Sequence, residues 1–204
     1  ILLAASLFGA WYITPTFFLT AAIYVVLVAM YSLKLKHVVI LDILVLAMGF
    51  VIRAMAGIEA LHEPGMGAVE VTPFFILTTL FLALFLAVGK RRNELVIMQG
   101  RADSTRRVLK EYGQEYLDVL LTLATTGVVG SYAAWATVGK LAKINETYTM
   151  AFTMPFVLYG IFRYLWLVLR HDEGEAPELL LLTDKPLLIT VLLWLVTVVT
   201  ILSL

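Results

Sequence analysis

Apolar runs long enough to cross a bilayer recur along this chain, and each is closed by a short charged break. A spanning helix takes about 20 mainly apolar residues. Stretches of that kind fall at roughly 14–33, 38–58, 72–89, 115–138, 150–169 and 186–204, with a shorter one at 1–12. The pattern predicts an all-α fold, a polytopic transmembrane helix bundle forming a single integral-membrane domain over residues 1–204. No internal repeat, low-complexity tract or interdomain linker interrupts it. Pro15, Pro73 and Pro186 stand at or near segment starts, where a missing backbone N–H costs little. Pro155 lies inside the sixth segment and is expected to kink it or to be satisfied by a neighbour.

The breaks alternate in charge. One set carries Lys34, Lys36 and His37, then Lys90 to Lys110, then Arg163, Arg170 and Lys185; the other carries Glu59, Glu63 and Glu70, then Lys140 and Lys143. Of the 15 Lys and Arg, 12 belong to the first set and 2 to the second, with Arg53 left inside a helix. The positive-inside rule therefore places the first set in the cytoplasm. Seven of those cations crowd into the 21 residues from Lys90 to Lys110. Such a cationic loop beside lipid suits a phosphate or diphosphate ligand.

Composition narrows the class further. Hydrophobic residues make up 61% of the chain, against roughly 45–50% in soluble domains, and the mean hydropathy is +0.94. The net charge is zero, so only the distribution of charge is informative. With no cysteine, disulfides, thiolate metal sites and a Cys nucleophile are excluded. His37, His62 and His171 stand far apart with no metal-binding spacing. The chain opens on Ile1 within an apolar run, with no charged leader or small-residue cleavage site before it, so a piece of a longer protein is expected rather than a signal peptide.

Candidate chemistry sits at the segment ends and at two intramembrane charges. Asp42 and Arg53 lie 11 residues apart, which sets them on one helix face about 16 Å apart, and Gly49 leaves room near that face. Either they pair with neighbouring helices, or they line a polar cavity facing the cytoplasm. Lys90 and Glu94 are one turn apart if their helix outlasts the membrane. Lys90 and Arg91 could then hold phosphate oxygens while Glu94 helps hold Mg²⁺, although a basic cuff of this kind also serves as a plain topology signal. Thr183-Asp184-Lys185-Pro186 reads as a helix start with Thr183 or Asp184 as its cap. Asn145-Glu146-Thr147 matches the glycosylation pattern only weakly.

Taken in order, several of these blocks resemble the UbiA superfamily of intramembrane prenyltransferases, and within it the decaprenyl-phosphate phosphoribosyltransferase branch. They are Tyr31-Ser32 with Leu35-Lys36 and Asp42, Gly49 to Gly57 around Arg53, Leu84 to Leu95 with Gly-Lys-Arg-Arg-Asn-Glu-Leu, Tyr159 to Tyr164 around Arg163, and Glu178 with Leu180 to Leu187. The resemblance implies nine transmembrane helices around a cavity open to the cytoplasm and to lipid, of which about seven are present. It implies transfer from a phosphorylated-sugar diphosphate donor, 5-phosphoribosyl 1-diphosphate, to a polyprenyl phosphate acceptor in the bilayer, with Mg²⁺ as cofactor and no nucleic-acid partner. Tyr31, Lys36, Asp42, Arg53, Lys90, Arg91, Arg163, Asp184 and Lys185 would bind substrate, and Glu94 the metal.

Two departures accompany the resemblance. The family's first aspartate-rich motif, of the form N-D-x-x-D, is missing, as expected if two N-terminal helices are absent; the chain alone would then be inactive. After Lys90 the sequence offers Glu94 and an isolated Asp103 instead of the D-x-x-x-D of aromatic prenyltransferases. That difference favours phosphoribosyl transfer over prenyl transfer to an aromatic acceptor. A transporter or a non-catalytic membrane protein is ranked lower because no repeat is present and the charges cluster at one face. Because the chain has no native cysteine, single introduced cysteines can map its sidedness. Thiols placed at residue 100 should label from the cytoplasmic face; labelling confined to the opposite face would overturn the assignment.

Overall fold

The computed structural model describes residues 2–60, 72–99, 111–138, 149–170 and 176–203, all of it helix, turn or short connection. The basic residues from Arg101 to Lys110, and the breaks holding Glu63, Glu70, Lys140, Lys143, Asn145 and His171, lie outside the described residues. The helices are α1 (Leu2–Ile13), α2 (Pro15–Leu33), α3 (Leu41–Ala60), α4 (Pro73–Gln99), α5 (Gln114–Val138), α6 (Met154–Arg170), α7 (Pro177–Thr183) and α8 (Lys185–Ser203). Among the described residues, six helical stretches are long and apolar enough to cross a membrane. The protein is an all-α, multi-pass membrane protein. Two compact units divide it, residues 1–71 and 72–204.

The first unit holds α1, α2 and α3. Thr14 starts α2 by accepting a hydrogen bond from the Phe17 amide at 3.1 Å, with Pro15 as the first helical residue. Helix α3 begins three residues later than the apolar run predicts. A tight helical turn at Leu35–His37 intervenes, and Ile40 takes φ of 71° before its carbonyl accepts from the Ile43 and Leu44 amides. That conformation is costly for a β-branched side chain. Helix α2 buries none of its residues, as expected of an element whose faces meet lipid or further helices.

The second unit packs α4 along α5 and braces them with α6 and α8. Gly127 of α5 is a point of close approach, since a Cβ there would fall 2.3 Å from the Phe81 ring of α4. Small residues let membrane helices pack this tightly, because lipid supplies no hydrophobic driving force of its own. Farther along α5, the Tyr132 hydroxyl meets the Thr153 hydroxyl at 2.6 Å and accepts from the Trp194 indole N–H at 2.8 Å. These bonds hold α5, the Thr149–Thr153 turn and α8 together. Pro155 does not kink a helix as expected. It is the second residue of α6, because Thr149–Thr153 is a separate tight turn that ends just before it.

Gly127→Ala should therefore destabilise the protein by about 1–3 kcal/mol, the usual range for overpacking. Gly130→Ala, with nothing within 4 Å of its added methyl, should be neutral or slightly stabilising. Thermal melts of the two variants in detergent test the contrast; equal behaviour would show that the approach at Gly127 does not limit packing.

Candidate functional site

Helix α4 runs unbroken to Gln99, so the basic block lies on a helix that outlasts its apolar part. Within it Arg91 and Arg92 are each 5% exposed, while Lys90 is exposed. Glu94 was expected to face Lys90, but the structure joins it to Arg91, whose Nη1 donates to Glu94 Oε2 at 2.5 Å. Burial explains the choice: a sunken guanidinium needs an anion, and residues three apart on a helix are neighbours.

Arg92 was not singled out from sequence, yet it is the most connected charge in the block. Its Nε donates to Asp118 Oδ1 at 2.7 Å and its Nη1 to the Val168 carbonyl at 2.8 Å. One side chain thus links α4 to the start of α5 and the end of α6. The only signal in the sequence was Asp118, a lone carboxylate near the start of an apolar segment. Beside it, Asn93 Oδ1 and the Tyr164 hydroxyl are buried with no hydrogen-bond partner among the described residues.

Arg163 and Asp184 were both expected on substrate. The structure joins them to each other: Nη2 donates to Oδ2 at 2.7 Å and Nε to Oδ1 at 3.2 Å. The Arg163 guanidinium also stacks 4.7 Å from the Trp166 ring centre. Asp184 Oδ1 accepts from the Leu187 amide at 2.9 Å, which makes it the cap that starts α8, as its sequence context predicts. Lys185 is exposed beside this clasp.

In the first unit, a small, open groove lies between α2 and α3, lined by Tyr24, Tyr31, Val45, Leu46, Gly49 and Arg53 among others. Arg53 is anchored at its base, Nε donating to the Gly49 carbonyl at 3.3 Å. Its guanidinium lies 4.4 Å from the Phe50 ring centre and 5.3 Å from that of Tyr24. Asp42 is buried in the first turn of α3, 2% exposed, and does not line the groove. Lys36 is exposed on the turn that precedes α3. The predicted site residues therefore fall into three local groups. Among the described residues, no three His, Asp or Glu side chains stand where they could hold a metal ion.

No family model matches the chain. Curated relatives do. It is 33% identical over 207 residues to the decaprenyl-phosphate phosphoribosyltransferase of Mycolicibacterium smegmatis, covering 97% of this chain and 62% of that protein. It is 32% identical to proteins of the same name from Mycobacterium tuberculosis, across 95% of this chain and 61% of the relative, and Corynebacterium glutamicum, across 87% and 51%. By sequence, the chain is similar to proteins named decaprenyl-phosphate phosphoribosyltransferase. It spans about three fifths of the length of the first two relatives.

The Leu-Thr-Asp-Lys-Pro block first of all builds structure. The hydrogen bond from Arg163 holds the Asp184 carboxyl below its ordinary 3.8; burial opposes this, and the Leu187 amide and the Arg163 charge add to it. A depressed carboxyl contributes stability that is complete above its unfolded value and is lost as pH falls through the lower, folded one. The clasp should therefore persist through the ordinary carboxyl titration range and open only at more acidic pH. Asp184→Ala should lower stability by about 1–3 kcal/mol, combining a lost cap with a lost charged hydrogen bond. Its melting temperature should also lose the acid-dependent fall shown by the parent protein. A variant melting like the parent at neutral pH would show that the clasp carries no stability.

Proposed function

We propose that the intact protein transfers the phosphoribosyl group of 5-phosphoribosyl 1-diphosphate to a polyprenyl phosphate, releasing diphosphate. The observation that carries this reading is the likeness, over 87–97% of the chain, to relatives bearing the decaprenyl-phosphate phosphoribosyltransferase name. In that reaction a phosphate oxygen of the lipid attacks the anomeric carbon, and the bond from that carbon to the diphosphate breaks. Charge builds on the departing oxygens, so fixed cations near them lower the barrier. Lys90, exposed at the membrane end of α4, and Arg91, held by Glu94, suit that task. Arg92 is a positioning residue: it keeps α4 registered against α5 and α6.

Magnesium would neutralise a diphosphate donor. The described residues do not form a magnesium site by themselves: Glu94 is tied to Arg91, and no acidic cluster accompanies it. Glu94 is read here as the group that holds Arg91 in place. The positive-inside distribution supports a site on the cytoplasmic face of a bacterial inner membrane. A lipid-linked sugar phosphate of this kind suits the synthesis of cell-wall polysaccharide precursors.

The test is transfer of radiolabelled phosphoribosyl diphosphate to decaprenyl phosphate by the intact protein in membranes. A preference for prenyl diphosphate with an aromatic acceptor would replace the reading. Lys90→Ala and Arg91→Ala should each raise the donor KM by roughly ten- to a hundredfold, the cost of one charge-assisted contact. Glu94→Gln should raise donor KM by freeing Arg91, without moving the Mg²⁺ concentration for half-maximal rate. Unchanged donor KM in all three variants would leave the cuff as a topology signal only.

A further inference from the structure

The arginines of α4 and α6 discussed above have carboxylate partners, and Arg53 does not. Arg91 meets Glu94, Arg92 meets Asp118 and Arg163 meets Asp184. Arg53 donates only through Nε, to a carbonyl of its own helix, and among the described residues its Nη1 and Nη2 have no hydrogen-bond partner. Yet it stands 12 residues beyond Leu41, well inside a membrane-spanning helix. A cation at that depth is costly unless it meets an anion or a wet cavity. The groove between α2 and α3 supplies the cavity.

The fork is also held still. Nε is anchored to the Gly49 carbonyl, and the rings of Phe50 and Tyr24 lie within cation–π range of the guanidinium. What remains is a planar pair of N–H edges, the geometry that grips phosphate oxygens two at a time. Leu27, Val28, Val45 and Leu46 make the rest of the groove apolar. An occupant that satisfies both parts carries an anionic head on a hydrocarbon chain. The sugar diphosphate donor has no apolar part and fails the second condition.

We infer that Arg53 binds the phosphate head of the isoprenoid lipid acceptor, with the first isoprene units of the lipid seated in the groove against Leu27, Val28, Val45 and Leu46. This rests on the transferase reading for the identity of the lipid, and on the geometry of α2 and α3 for the place. It assigns acceptor recognition to residues of α2 and α3, whereas the donor contacts proposed above are on α4. Tyr31 lines the same groove and would flank the lipid there.

The experiment measures retention of labelled decaprenyl phosphate, and of uncharged decaprenol, by the intact protein in nanodiscs. Arg53→Ala should weaken decaprenyl phosphate binding by roughly ten- to a hundredfold while leaving decaprenol within about twofold. Arg53→Lys should recover only part of the loss, because an ammonium supplies the charge without the fork. Unchanged phosphate-lipid affinity in Arg53→Ala would overturn the inference and point to a protein carboxylate as the partner of Arg53. Equal weakening for both lipids would also overturn it. Should the alanine variant not fold, a photocrosslinker at Leu27 with Arg53 intact should give a lipid adduct that decaprenyl phosphate suppresses and decaprenol does not; no such adduct would sink the assignment. Phosphoribosyl transfer with lipid binding independent of Arg53 would refute this inference and spare the transferase reading. Lipid-phosphate binding that needs Arg53, in a protein that transfers no phosphoribosyl group, would do the reverse.

Discussion

A guanidinium taken out of water must be met on nearly every side, and the second unit is arranged around one that is. Arg92 reaches across α4 to Asp118 at the start of α5 and to the carbonyl of Val168 near the end of α6. The carbonyl is a group that the end of a helix leaves without an intrahelical partner. Asp118 stays partly exposed, so the carboxylate gives up less hydration than the arginine does. The arrangement registers three helix ends at one level. It also fixes the direction in which the preceding turn of α4 presents Lys90 and Arg91.

Two other arginines show how the same requirement has different outcomes. Arg163 lies where α6 passes the start of α8, and the capping carboxylate of α8 is at hand, so the pair closes into a two-bonded clasp. A residue that resembles a family substrate contact is then tied up within the protein. Arg53 sits on α3, where the nearest surroundings are aromatic rings, aliphatic side chains and its own backbone. Arg53 is exposed along that face, and the rings attract its guanidinium without accepting its N–H groups in the way oxygens do. The chemical difference between these arginines is therefore one of neighbours.

The two units also differ in how completely they are packed. The second has a close approach at Gly127, a buried Tyr132–Thr153–Trp194 hydrogen-bond chain and an internal ion pair, each joining helices far apart in sequence. In the first, α2 buries no residue and the groove beside α3 stays open. A rigid, internally satisfied frame suits a place where charge must be held against a leaving group. An open, apolar-walled face suits a lipid that must enter from the side.

The helices themselves were legible in the sequence, since any segment crossing hydrocarbon must satisfy its own backbone and therefore announces itself as a long apolar run. Helix starts at Pro15, Pro73 and Asp184 followed from local chemistry, because a cap or a proline acts within one turn. The start of α3 at Leu41 did not, as a tight turn and a strained Ile40 are not encoded in hydropathy. The placing of Pro155 likewise depended on where the preceding turn ended. Which charges would be functional was the least legible part. Lys90, Arg91, Glu94, Arg163 and Asp184 stood out by type and position, but contacts such as Arg163 with Asp184 and Arg92 with Val168 are set by packing between segments up to 76 residues apart. Sequence alone determined that this chain threads a membrane with its cations gathered at particular segment ends. Only the tertiary structure decided which of the arginines meet a carboxylate, because pairing depends on distances of a few ångströms between neighbouring groups.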